Sequence, residues 1–173
     1  MEDHLTGKRP IPPWGRQPRK HRDLQERRRG GDKAPGKLPE PTSCPQCGAV
    51  FHKGRWTWDT RPTHAHEALC PACRSINENR GSGVVSIKGT YLLGHRQDIL
   101  NLARNEEKKA KLEHPLSRII SIKEEAECTI ISTTDTLLAR RICEALNHAH
   151  PGNISLQYSK DERSVAAEWT CEG

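Results

Sequence analysis

Apolar residues are sparse in the first forty positions and then return in short periodic runs. Residues 50–53 (VFHK) and 55–58 (RWTW) flank Lys53-Gly54 and predict a short hairpin. Its second strand puts Trp56 and Trp58 on one face and Arg55 and Thr57 on the other. A strand is expected at 84–87. Leu92, Ile99, Leu102, Ala103 and Ala110 then recur at helical spacing, predicting one helix over 91–113 that Pro115 ends. The second half of that helix, ARNEEKKAKLEH, reads as a solvated charged face. Strands follow at 117–123 and 128–132, and Thr133, Thr134 and Asp135 supply an N-cap. Leu138, Ile142, Ala145 and Ala149 mark one face of a second helix, which runs to about His148 and is stopped by His150-Pro151-Gly152. Arg140-Arg141 in its middle reads as a solvated pair. Two last strands, 154–158 and 164–170, are joined by a polar turn. A long helix followed by β-β-α-β-β implies an α+β fold, a small antiparallel sheet packed on two helices.

Composition adds a constraint. The 173 residues are 33 % hydrophobic, against roughly 45–50 % in an ordinary globular chain, and 4 % aromatic. One large core is excluded, so part of the chain is expected to be unfolded or held by something other than burial. No run approaches the roughly 20 apolar residues of a membrane helix, and the N-terminus has no apolar stretch of the secretory type, so no membrane partner and a cytoplasmic location are expected. The formal net charge is +6, distributed as +5 over residues 1–40, +3 over 41–90 and −2 over 91–173. Residues 1–40 hold six Pro, five Gly and the run Arg27, Arg28, Arg29, and read as a disordered basic arm. Such an arm is either a solvated leader or an electrostatic contact to nucleic acid, with Trp14 available to stack on a base.

The most specific pattern is Cys44-Pro45-Gln46-Cys47-Gly48 followed by Cys70-Pro71-Ala72-Cys73. Each C-x-x-C turn brings two thiolates within reach of one ion, and two such turns complete a tetrahedron. Seven cysteines in a reducing compartment point to metal ligands before disulfides. Zinc is the expected ion, and iron in a four-thiolate site is the alternative. Four thiolates leave no open position, so the site reads as a staple and not a catalytic centre. His64 and His66, in THAHEALC, are the alternative ligands and read more simply as surface residues, as does His52. Cys143 falls on the apolar side of its helix and reads as a core residue. Two readings of the hairpin are open. Trp56 and Trp58 cover the metal site or a neighbouring domain, or one ring joins Lys53, Arg55 and Arg61 in a base-stacking, phosphate-binding surface. The expected division is a basic arm (1–40), a zinc ribbon (41–82) and an α+β domain (83–173).

The ribbon CPQCGAVFHKGRW…LCPAC, followed by the stretch ISTTDTLLARRICEALNHAHPGNISLQYS, resembles a group of small bacterial zinc-ribbon proteins. More distantly, it resembles the N-terminal half of the nonsense-mediated-decay-three family, which comprises export adapters of the large ribosomal subunit and archaeal relatives. The likeness covers roughly residues 41–170 and implies zinc on Cys44, Cys47, Cys70 and Cys73 and contact with the large subunit or its RNA. The chain departs from the family in lacking Cys pairs ahead of the ribbon and in having no room for the barrel and export signals that follow. The functional expectation is a zinc-binding, non-enzymatic adapter for ribosomal or other structured RNA, with Lys53, Arg55, Trp56, Arg61 and Arg27–Arg29 as the nucleic-acid residues. The alternative is a zinc-stapled protein-interaction module, supported by the near-neutral charge after residue 40. No small-molecule substrate is expected. The chain holds no Gly-rich phosphate loop, no nucleophile elbow and no H-E-x-x-H. The polar cluster Ser132–Asp135 is explained by capping.

Overall fold

A computed structural model of the chain describes residues 38–150 and 152–172. Most of the basic arm, with Trp14 and Arg27–Arg29, lies outside the described residues. The ribbon contains strands β1 (Thr42–Ser43), β2 (Val50–His52), β3 (Arg55–Thr57) and β4 (His66–Glu67), then helix α1 (Pro71–Asn77). The rest is β5 (Gly83–Lys88), α2 (Tyr91–Glu113), β6 (Ile119–Glu124), β7 (Cys128–Thr133), α3 (Thr136–Ala149), β8 (Asn153–Tyr158) and β9 (Val165–Thr170). Ribbon and sheet belong to one compact unit, Pro39–Gly173. Among the described residues no helix is long and apolar enough to cross a membrane.

The five-stranded sheet runs β6-β7-β5-β9-β8. Alternation along each strand sets its buried face: Val85 and Ile87 on β5, Ile131 on β7, and Val165, Ala167 and Trp169 on β9 are all buried. Their registers place Ile122, Ile131, Val85, Ala167 and Leu156 in one row across the sheet. Both helices join the core on this face, α2 through Leu92, Ile99, Ala103 and Ala110 and α3 through Leu138, Ala139, Ile142 and Leu146. Each fully buried Leu or Ile contributes about 1.5–3 kcal/mol. The N-cap of α3 is Asp135, whose Oδ1 accepts the Leu138 N–H at 2.8 Å. Helix α2 leaves helical geometry at His95, just after Gly94.

The sheet is mixed where wholly antiparallel pairing was expected: β5 and β9 run parallel, with Val85 opposite Ala167. The hairpin β8–β9 folds β9 back between β8 and β5. The pairing joins residues about eighty positions apart, and no local pattern encodes it. The second half of α2 is also less solvated than expected. Glu107 accepts the Ile119 N–H at 2.8 Å, and Glu106 and Glu113 each lie 3.6 Å from Arg141 on α3. Arg141 therefore bridges the two helices, while Arg140 pairs along its own helix with Glu144 at 2.6 Å.

Gly83 marks the closest approach of sheet and helix. A Cβ there would meet Thr133 Oγ1, would lie 2.6 Å from Ala139 Cβ and 2.7 Å from the Asp135 carbonyl. Gly83→Ala is therefore expected to destabilise by on the order of 3 kcal/mol. Gly94→Ala, in a helix with nothing near the added atom, is expected to stabilise by about 0.5–1 kcal/mol. Urea unfolding of the two variants checks the contrast in sign.

Candidate metal centre

Strand β1, both residues of which are buried, delivers Cys44 to the first knuckle. Its turn is closed by the Gly48 N–H donating to the Cys44 carbonyl (2.9 Å) and the Cys44 N–H to the Ala49 carbonyl (2.8 Å). Gly48 has φ +79°, a left-handed conformation that costs glycine little. The second knuckle is the start of a helix. Cys70 is the N-cap of α1, Pro71 follows in the first turn, and the Cys70 sulfur accepts the Cys73 N–H at 3.4 Å. The Cys70 N–H in turn donates to Cys44 Sγ at 3.4 Å. Outside the sulfurs, the side-chain amides of Gln46 and Asn77 exchange two hydrogen bonds, at 3.3 and 3.1 Å, and tie the first knuckle to the end of α1.

The ligand atoms of Cys44, Cys47, Cys70 and Cys73 all lie within 4.8 Å of one another, and Cys44, Cys70 and Cys73 are buried. Cys47 Sγ and Cys70 Sγ are 3.7 Å apart. Sulfurs placed tetrahedrally around zinc at its usual bond length sit about 3.8 Å apart, so the quartet is positioned to hold one metal ion. Electrostatics agrees with that use. Burial pushes up the Cys73 and Cys70 thiols, and neighbouring sulfurs push Cys73 further. Burial would also raise Cys44, but the backbone N–H groups of Cys70, Cys47 and Gln46 outweigh it and bring that thiol down to about 6. A nest of amides stabilises the Cys44 thiolate, and a bound cation would favour ionisation of the buried Cys70 and Cys73 sulfurs.

The other candidates fall elsewhere. His64 and His66 are exposed and stand outside the quartet. Lys53 and Gly54 take φ values of +51° and +77°, the two left-handed residues of a tight hairpin turn between the paired residues His52 and Arg55. That turn leaves Lys53 and Arg55 exposed at the tip. Arg61 is exposed and paired with Glu67 at 2.7 Å. The base-stacking expectation for Trp56 is corrected. The ring is 9 % exposed and packs on Phe51 at 5.5 Å between centroids, so it offers no open face. Trp58, 39 % exposed, reaches a neighbouring helix: its Nε1 donates to the Lys111 carbonyl at 2.6 Å, near the end of α2. Lys111 Nζ lies 5.6 Å and the Arg118 guanidinium 5.7 Å from its ring centre.

The remaining nucleophile candidates have structural roles. Cys143 is buried on α3 and its thiol is pushed up to about 12 by that burial. In the polar turn before α3, Thr133 Oγ1 donates to the Asp135 carbonyl (2.7 Å), Thr134 Oγ1 to the Leu116 carbonyl (2.6 Å), and Asp135 caps the helix. One residue of the site escaped the sequence. Arg118, on the segment leading into β6, is buried beside the sulfurs, with a terminal guanidinium nitrogen 3.6 Å from Cys73 Sγ. Burial opposes its charge, but the Cys47, Cys73 and Cys70 sulfurs outweigh that and hold its pKa above the ordinary arginine value. Its separation of 45 residues from Cys73 hides it from any motif. Compared with known proteins, the chain matches no family model, no curated protein and no solved structure.

The purified chain is expected to hold about one metal ion. Single Cys→Ser changes at positions 44, 47, 70 and 73 are expected to weaken metal binding by more than about 100-fold. Cys143→Ala leaves the stoichiometry unchanged. Elemental analysis with chelator competition measures both and distinguishes zinc from iron.

Proposed function

We propose that the chain is a zinc-stapled, non-enzymatic adapter that associates with structured RNA, the large ribosomal subunit being the partner implied by the family resemblance. The observation that carries the metal part is the convergence of Cys44, Cys47, Cys70 and Cys73 within 4.8 Å of one another. Among the metals, zinc suits an all-thiolate tetrahedron that serves folding, and iron is the competitor that elemental analysis distinguishes. All four donors come from the protein, so water has no coordination position to take, and the centre acts as a brace.

The RNA part is supported by charge and by the shape of the hairpin. Lys53 and Arg55 stand exposed at a turn held in one conformation, and residues 1–40 carry a net +5. With Trp56 turned inward, the hairpin contacts phosphates instead of stacking on bases, so affinity is expected to be salt-dependent and weakly sequence-selective. A protein-interaction role is the second reading. It is favoured by the edge strand β8, whose six residues NISLQY carry no charge and leave Leu156 and Tyr158 exposed.

Gel-shift titration of the full chain with large-subunit ribosomal RNA over a salt series tests the first reading. Binding is expected at low salt and weakens linearly in log–log form. The double variant Lys53→Gln, Arg55→Gln is expected to lower the slope by about one to two units. No binding at low salt, or an unchanged slope, sinks the RNA reading.

A further inference from the structure

Arg118 is the one buried charged side chain among the described residues, at 7 % exposure. Its Nε donates to the Pro115 carbonyl at 2.9 Å, one terminal nitrogen lies 3.6 Å from Cys73 Sγ, and the other has no hydrogen-bond partner. The Trp58 ring lies 5.7 Å away. A carbonyl, the cysteine sulfurs and an indole therefore surround this cation, and among the described residues no carboxylate pairs with it. The residue is held there firmly. Its backbone N–H donates to Thr134 Oγ1 at 2.9 Å, and its carbonyl accepts the Thr134 N–H at 2.9 Å. Removing a guanidinium from water with no counter-charge is strongly unfavourable, so a fold that does so implies an anion at the site.

We propose that Arg118 is the charge partner of a metal-loaded tetrathiolate and that this pairing ties the ribbon to the sheet; the inference rests on the four cysteines holding a metal ion. Four thiolates around a divalent ion carry a net double negative charge. Arg118 faces that charge from the sheet side, while Trp58 crosses from the ribbon to the end of α2 and covers the guanidinium. With the metal bound, cation and anion are removed from water together. Arg118 thus acts through the ligands as a positioning residue, lowering the electron density on the sulfurs and holding the ribbon against the sheet.

Cobalt(II), titrated into the full metal-stripped chain, is the probe. The unsubstituted chain is expected to take up one ion with the spectrum of a tetrathiolate. Arg118→Met is expected to lower cobalt affinity about 10–100-fold. It also moves the sulfur-to-cobalt charge-transfer band to longer wavelength, because sulfur that no longer faces a cation releases electron density more readily. Arg118→Lys keeps the charge and is expected to hold affinity within about threefold, with the band nearly in place.

An unsubstituted chain that takes up no cobalt overturns the metal reading and this inference with it. If that chain binds one ion and Arg118→Met binds equally tightly with an unmoved band, the metal reading stands and the Arg118 pairing falls. Should Arg118→Met fail to fold, Arg118→Lys decides alone: retained affinity supports the pairing, and a loss of about tenfold or more refutes it.

Discussion

Four cysteine sulfurs gathered within 4.8 Å of one another, three of them buried, impose one requirement on the ribbon: a cation to share. Burial holds the Cys70 and Cys73 thiols above their ordinary value, and amide hydrogen bonds bring Cys44 below it. The local structure is organised around making that cluster. Gly48 takes a left-handed turn to close the first knuckle, and α1 begins on Cys70 so that its sulfur caps the helix. The Gln46–Asn77 amide pair fixes the distance between the two halves. The ribbon has little else to hold it. Its buried apolar side chains are few, chiefly Ala49, Val50, Trp56 and Ala72. A core this small does not stand without an added constraint, and in zinc-finger peptides metal binding is worth about 10–16 kcal/mol.

The five-stranded sheet solves the same problem by ordinary burial. A continuous core joins Val85, Ile87, Ile131, Leu138, Ile142, Leu146 and Trp169 across three strands and a helix, and α2 closes over one side of it. The two halves therefore differ in what stabilises them. The low hydrophobic content of the chain reflects the ribbon, with its few buried apolar side chains, together with the polar first forty residues. The contact between the halves is a reciprocal exchange of side chains. Trp58 leaves the ribbon to bond the Lys111 carbonyl, and Arg118 leaves the sheet to meet the sulfurs.

Much of this was legible in the sequence because it is local. The C-x-x-C spacing located the quartet, the alternation around Lys53-Gly54 located the hairpin, and 3.6-residue spacing located α2 and α3 with bounds close to those observed. What was not legible is set by pairs distant in sequence. The parallel pairing of β5 with β9 depends on where a hairpin inserts. The two-residue strands β1 and β4 are too short for any period to register. Trp58 covers a neighbouring element, as the first reading of the hairpin had it, but it does so from beyond the end of its strand. A period of two puts both rings on one side of a strand, but β3 ends at Thr57, and Trp58 leaves the strand to follow the α2 terminus. Arg118 was invisible because a lone Arg before a strand has no pattern, and its role exists only through sulfurs 45 or more residues away.

The distribution of charge follows from this division of labour. The hairpin tip takes no part in packing, and Lys53 and Arg55 stay in water with their charges available. The cations that do face inward are committed: Arg118 to the sulfurs, Arg141 to Glu106 and Glu113 between the helices, and Lys111 to the face of Trp58. Charges spent on internal pairing contribute little to the outward field, whereas an exposed pair on a rigid turn contributes fully. The sheet domain, net negative over residues 91–173, does not reinforce that field, so the positive charge is concentrated on residues 1–90.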